Sequence, residues 1–307
     1  MNKNNFDIVM PGFLFCDLIF LGLPDMPKLG EEIYSKELHI SPGGVYITAV
    51  AMERLGINVG LIADLGNDIF SKFILQELHA EKIPTNLIRN HPCPLPTITA
   101  ALSFPEDRAF ITYMEGINNI NQFLDISLNN HSAKHLHLPG LKEAFASKSL
   151  IREAKRRGMT ISLDCQWHPD LMMLPETWEI LKDTQIFLPN EKEALFLTKT
   201  NSPEKALEIL RQKVDSTIIK LGSAGSIGFD KNNELIKVPA LPVTVVDTTG
   251  AGDSFNAGFL FAFLNNLPLE KSMAYGNICG GLSVSKVGGS TAVPTIEQLL
   301  EKLKYYS

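Results

Sequence analysis

The sequence predicts an α/β fold: a central, mostly parallel β-sheet flanked by helices, with a small β-sheet set apart from it. Three observations carry this. Short apolar, β-branched runs alternate with longer helical patterns along the chain, as expected for a parallel sheet covered on both faces. At 307 residues, with 45% hydrophobic and 20% charged residues, the chain can bury one large core. Two segments, 13–40 and 95–114, break the alternation with strand-like pieces of their own.

Residues 8–10 open the main sheet. Ser41, Pro42, Gly43 and Gly44 break the chain before a helix over 46–55, which Gly56 ends. A strand at 59–63, a helix at 69–79 and a strand at 85–88 follow. Residues 135–138 and 160–164 are strands around a helix at 149–157, stopped by Gly158. Residues 186–189 and 217–221 add two more. The β-branched run 243–246 reads as a buried strand, 255–265 as a helix, and 273–287 as a buried helix of small residues. Segment 13–40 carries turns at Gly22, Pro24, Pro27 and Gly30. In 95–114, residues 97–103 and 109–113 alternate about 105–108 as in a β-hairpin. Together these strands predict a small sheet serving as a lid. A plain decoration or a dimer surface fits the same pattern. The whole of 1–307 reads as a single domain.

Bulk properties exclude several classes. A net charge of −6 counts against nucleic acid or an anionic membrane as partner. No apolar run reaches the length of a membrane span, and residues 1–5 lack a signal-peptide core. Cys16, Cys93, Cys165 and Cys279 are scattered, with no Cys-x-x-Cys pair, so reduced thiols in a cytoplasmic protein are expected.

The most informative stretch is 247–258, Asp-Thr-Thr-Gly-Ala-Gly-Asp-Ser-Phe-Asn-Ala-Gly. Gly250, Ala251 and Gly252 stand where the predicted strand turns into a helix. Small residues there admit a ligand close to the backbone, and the free N–H groups of the first turn favour negative charge. Asp253 beside such a cup would repel a phosphate unless it has a task. That task is to take the proton of a hydroxyl attacking a phosphoryl group. The helix terminus is expected to keep Asp253 ionised and weakly basic. A structural turn with a capping acid is the competing reading.

Other residues are weaker signals. Asp17, soon after the first strand, could bind substrate hydroxyls or sit in a surface loop. Gly43 and Gly44 give a second close-approach turn. Asn190 and Glu193 match a capping box, and could equally hold the water shell of Mg2+ on nucleotide phosphates. Lys220, Gly222 and Gly225 form a turn able to wrap a nucleotide. A P-loop and a dinucleotide-binding Gly-x-Gly-x-x-Gly turn are both missing. His135 and His137 share a strand face and read as half-buried structural histidines.

Taken together, these motifs resemble the ribokinase-like family, the PfkB carbohydrate kinases. The resemblance runs over nearly the whole chain and is strongest at Asp247 to Phe255. It implies a ribokinase-like fold and an ATP-dependent kinase that phosphorylates a hydroxymethyl group of a sugar or sugar-like molecule. Asp253 would be the catalytic base and Gly250, Ala251 and Gly252 the anion hole. Asn190, Lys220, Gly222, Gly225 and Asn277 would bind ATP, with Glu193 handling Mg2+ through water. Asp17, Gly43, Gly44 and Asp253 would bind the substrate. Some members hold a monovalent cation such as K+, and Asp247, Thr249, Ser283, Lys286 and Gly288 fall at those places. Most such ligands would be backbone carbonyls.

The departures lie on the acceptor side. Ile47 stands where members usually carry an Asn that touches the sugar, the strand 135–138 ends without the Glu of ribokinases, and Cys165-Gln166-Trp167-His168 follows Asp164. A nucleoside whose base sits near Tyr46 or Trp167 therefore competes as acceptor. A sugar phosphate also competes, with Arg89 or Arg108 as its cation. A non-catalytic sugar or nucleotide sensor is the reading from another class. An exposed lid sheet could pair two copies of the chain.

Overall fold

Strand β1 (Asn5–Pro11) pairs in parallel on both sides, and the main sheet grows outward from it. The computed structural model describes residues 5–105, 107–115, 128, 131–286 and 289–306. After β1 come β2 (Leu14–Leu21), β3 (Glu37–Gly44), α1 (Val45–Arg54), β4 (Val59–Leu65), α2 (Ile69–Ala80), β5 (Ile88–Asn90), β6 (Thr97–Ser103) and β7 (Arg108–Met114). Then follow β8 (Ser132–Leu138), α3 (Leu141–Ala146), α4 (Lys148–Arg156), β9 (Thr160–Leu163), α5 (Pro169–Met172), α6 (Pro175–Lys182), β10 (Ile186–Phe187), α7 (Glu191–Thr198) and α8 (Pro203–Leu210). The chain closes with β11 (Ser216–Lys220), β12 (Ser226–Phe229), β13 (Leu235–Val238), α9 (Ala251–Leu264), α10 (Leu269–Ser283) and α11 (Ile296–Lys302).

Among the described residues the main sheet has the order β13-β12-β11-β10-β9-β8-β1-β4-β5. It is parallel from β5 to β11 and antiparallel at β12 and β13. Both faces are covered, so its strands are apolar on both sides. Ile8 and Met10 pack with α1, α9 and α10, while Val9 points the other way into a core with Leu136, Ile161 and Leu163. The parallel arrangement puts the carboxyl ends of β8, β9, β10 and β11 on one edge, where open α/β sheets bind ligands.

The four remaining strands form a separate sheet in the order β3-β2-β6-β7. β6 and β7 are the expected hairpin, and β2 lies parallel to β6. β3 runs through Pro42, which is tolerated because β3 is an edge strand.

Three elements differ from expectation. The run 243–246 is not a buried strand: Val245 and Val246 are exposed, and no strand pairs with the segment. Its order comes from the end of α10, where Val284 O accepts from the N–H of Val246 at 2.8 Å and of Asp247 at 3.2 Å. The strand expected at 85–88 is β5, shifted onto Asp64 and Leu65 as partners of Arg89 and Asn90. The helix expected at 273–287 starts earlier, at Leu269, and ends at Ser283.

His135 and His137 are fully buried structural residues. His135 bonds Thr160 and Ser162 through its two ring nitrogens, each at 2.7 Å, and His137 bonds Ser162 at 2.7 Å. Burial pushes both imidazoles down to about 3, so they are neutral.

Candidate active site

Helix α9 begins with Gly250 in the left-handed region, φ 73°. A side chain there would strain the backbone and run into Ile47 Cγ2 at 2.8 Å and Gly289 Cα at 3.0 Å. No side chain caps the helix start, which leaves that terminus open to an anion. Thr249 N–H donates to Asp247 Oδ1 at 2.9 Å, and Ala251 N–H to Thr248 O at 3.3 Å. These bonds fix the turn that leads into the helix.

Asp253 lies in the first turn of α9. Thr48 Oγ1, on α1, donates to its Oδ1 at 2.8 Å. Burial pushes the Asp253 carboxyl up, and nearby Asp164 adds to the rise, against the Thr48 hydrogen bond. The sequence-based expectation considered only the helix terminus; burial acts in the opposite direction. A carboxyl raised in this way is a better proton acceptor once ionised.

Beside it lies a polar cluster at the strand ends. Lys220 Nζ donates to both oxygens of Asp164, at 3.1 and 3.0 Å, and to Asn256 Oδ1 at 3.2 Å. Asn256 Nδ2 donates to Asp164 Oδ2 at 2.5 Å. A Cβ on Gly252 would stand 3.5 Å from Lys220 Nζ, so this ammonium sits at the helix terminus as well as at the start of its own loop. Asn190 caps α7 in a full capping box: its Oδ1 accepts from Glu193 N–H at 2.9 Å, and Glu193 Oε2 accepts from Asn190 N–H at 2.8 Å. Burial first, and Asp164 second, push the Glu193 carboxyl up to about 7.

The turn after β11 has Gly222 at φ 59° and Gly225 at φ 93°. A Cβ on Gly225 would meet Val238 O at 2.0 Å. Asn277, buried in α10, donates to Val238 O and Pro239 O, each at 3.0 Å. It fastens the wall against which that turn packs.

Asp17 is in β2, not in a loop after the first strand. It stands opposite Thr99 of β6 and Ser41 of β3. A Cβ on Gly43 would lie 1.9 Å from Asp17 Oδ2, so the carboxylate occupies the space Gly43 leaves. Burial pushes Asp17 up to about 6, against a hydrogen bond from Thr99. Gly44, at φ 64°, would clash with Phe13 O at 2.2 Å and joins β3 to α1. Ile47 is buried against Gly250 and Gly289, under the helix start.

Several acceptor-side residues fall elsewhere. Tyr46 is a core residue and cannot face a base. Trp167 packs edge-on against Phe196 of α7, ring centres 5.1 Å apart, with Lys192 Nζ 3.9 Å above its ring. Arg89 is held by both oxygens of Asp64. Arg108 pairs with Asp247. Ser283 lies at the end of α10, next to the carbonyl that fastens 246–247. Lys286 is exposed, and Gly288 lies outside the described residues.

The sequence profile of the pfkB family carbohydrate kinases matches residues 21–296. The chain belongs to this family. Among curated relatives, the ribokinase of Lactococcus lactis is 29% identical over 296 residues, 91% of each chain. Solved structures agree in fold. A candidate ribokinase II of E. coli in complex with ATP and Mg2+ superposes with a TM-score of 0.82 at 23% identity, over 98% of this chain and 99% of that one. A fructokinase double mutant of Vibrio cholerae with fructose, ADP and potassium bound gives 0.77 at 21% identity, over 98% and 99%. In this pfkB-family chain, sequence reasoning missed Thr48, Asp164 and Asn256. All three act through partners far away along the chain, which no local pattern reveals.

Proposed function

We propose that this carbohydrate kinase transfers the γ-phosphoryl group of ATP to a hydroxymethyl group of a sugar, with Asp253 as the base. The observation that carries the reading is the half-buried Asp253 carboxyl in the first turn of α9, hydrogen-bonded to Thr48, at a helix start that no side chain caps. The acceptor hydroxyl loses its proton to Asp253 as its oxygen bonds to the γ-phosphorus and the bond to the β-phosphate oxygen breaks. The helix start at Gly250, Ala251 and Gly252, with Lys220 nearby, faces the charge that develops. Asp17, in the gap left by Gly43, accepts hydrogen bonds from acceptor hydroxyls.

The Asn190–Glu193 corner and the turn at Gly222 and Gly225 would hold the nucleotide, with Asn277 behind it. Mg2+ would be held here through water: Glu193 is an acidic side chain beside Asp164 at the strand ends, and an ion that keeps several waters needs only such outer contacts. Mg2+ supplies neutralisation of the β- and γ-phosphate charge. At the expected monovalent-cation site Asp247 Oδ1 and Thr249 Oγ1 already accept from Arg108, and the other ligands would be backbone carbonyls.

The small sheet is read as the lid of a single domain, with its Asp17 face over the site and its other face available to a second copy. A cytoplasmic location suits the four free cysteines. No helix among the described residues is long and apolar enough to cross a membrane. The residues that motivated a nucleoside or a sugar phosphate as acceptor, Tyr46, Trp167, Arg89 and Arg108, are engaged elsewhere, which favours an unphosphorylated sugar.

The test is Asp253→Asn, assayed by ADP release over a panel of sugars, sugar phosphates and nucleosides. Turnover should fall by roughly 10²–10⁴-fold while MgATP still binds. Near-wild-type turnover on the best acceptor would remove Asp253 from the chemistry. An acceptor that stabilises the wild type without any turnover would support a sensor instead.

A further inference from the structure

Arg108 opens β7, at the tip of the hairpin in the small sheet, yet its guanidinium ends on the turn before α9. Its Nη1 donates to Asp247 Oδ1 at 2.7 Å and also to Thr249 Oγ1. Its Nη2 donates to Thr248 Oγ1 at 2.9 Å. Three consecutive side chains are thus gathered on one cation. The same Asp247 Oδ1 accepts from Thr249 N–H and Thr249 Oγ1, so the guanidinium completes the network that shapes the entry to Gly250.

The electrostatics call for a cation here. Asp247 carries a negative charge three residues before a helix start that must receive phosphates. Left uncompensated, it opposes their binding, because like charges at short range repel strongly where water is partly excluded. The pair is mostly shielded from solvent, with side-chain exposures of 27% for Arg108 and 13% for Asp247. A guanidinium stays charged at any working pH and offers a planar set of donors that a spherical ion cannot.

We propose that Arg108 is the built-in cation of this turn, neutralising Asp247 and holding 247–249 in shape without a bound monovalent ion. The inference rests on the kinase reading, since it concerns the helix start that would receive nucleotide phosphates. Arg108 is a positioning residue: it acts on the anion site through Asp247, Thr248 and Thr249.

The experiment measures affinity for MgAMP-PNP by calorimetry, in KCl and in tetramethylammonium chloride at equal ionic strength. The proteins are the wild type, Arg108→Ala and Arg108→Lys, each checked for folding by circular dichroism. The wild type should bind equally well in the two salts, within about twofold. Arg108→Ala should bind at least about tenfold more weakly in tetramethylammonium and recover in potassium, which can then reach the vacated oxygens. Arg108→Lys, keeping the charge, should stay insensitive to potassium. A wild type that gains tenfold or more from potassium overturns the proposal. So does an Arg108→Ala protein with the same affinity in both salts, whether high or low. Failure of the wild type to bind MgAMP-PNP in either salt overturns the kinase reading and this inference with it; the other two results overturn this inference alone.

Discussion

Asp17 shows how a single side chain can cost stability in order to serve a site. It sits in a strand of the small sheet, in space that exists only because residue 43 has no Cβ. Burial raises its carboxyl from 3.8 to about 6. In the unfolded chain it ionises near 3.8, so only below about pH 3 is it neutral in both states and without penalty. As pH rises through about 6 the native state must hold a charge it solvates poorly, and stability is lost. The deficit is complete by pH 8 and of order 1–3 kcal/mol. Asp17→Asn should therefore raise the melting temperature by several degrees at pH 8 and leave it nearly unchanged at pH 3. The same variant should raise KM for the acceptor, because the amide presents one acceptor oxygen where the carboxylate presents two. An equal change in melting temperature at both pH values would show that ionisation is not the cause.

Helix α7 separates what is local from what is not. Its start was legible in the sequence, because Asn190 and Glu193 are three residues apart and the capping box is made within that span. The same holds for the helix start at Gly250 and the hairpin of β6 and β7. The partners of the site were not legible. Thr48 and Asp253 are 205 residues apart, Asn256 and Asp164 92, and Arg108 and Asp247 139. The run 243–246 misled for the opposite reason: β-branched residues promise a strand, but a strand needs a ladder partner, and here the N–H groups go to the end of α10. The capping box also lets the two readings of Glu193 be told apart. Asn190→Ala removes the cap and should cost about 1 kcal/mol by denaturant unfolding. Glu193→Gln still closes the box and removes a carboxyl whose pKa burial raises to about 7, so it should be at least as stable as the wild type at pH 8, unlike Asn190→Ala. Loss of the carboxylate should also raise the Mg2+ concentration needed for half-maximal rate several-fold. If Glu193→Gln leaves the Mg2+ dependence untouched, Glu193 is only a cap.

For the molecule as a whole, the two faces of the small sheet offer a testable prediction about assembly. Cross-strand register sorts its residues. Asp17, Ser41, Thr99 and Thr112 share one face, in keeping with a role over a polar site. Leu18 and Phe20 stand opposite Ile40 and Leu38 on the other, continuing through Ile98 and Ala100 to Tyr113 and Ile111. On this second face Leu38 and Ile40 are each 53% exposed, Ile111 63% and Tyr113 55%. The middle of this face is covered, Leu18 packing on the core beside Cys16, while its edge strands β3 and β7 leave apolar side chains exposed, more than a lone protein in water usually shows in one region. A second copy can cover it by a two-fold axis, because each residue then meets the same kind of surface it presents. Sedimentation at micromolar concentration should give twice the monomer mass. Ile40→Lys or Ile111→Lys should yield monomers, since each places a charge within the buried patch, and removing it from water costs several kcal/mol. Because the dimer would press on the back of a sheet whose front carries Asp17, the monomeric variants should also show a raised KM for the acceptor with kcat little changed. A wild-type protein that sediments as a monomer, or a lysine variant that remains dimeric, would place the interface elsewhere and leave the apolar face without a function in assembly.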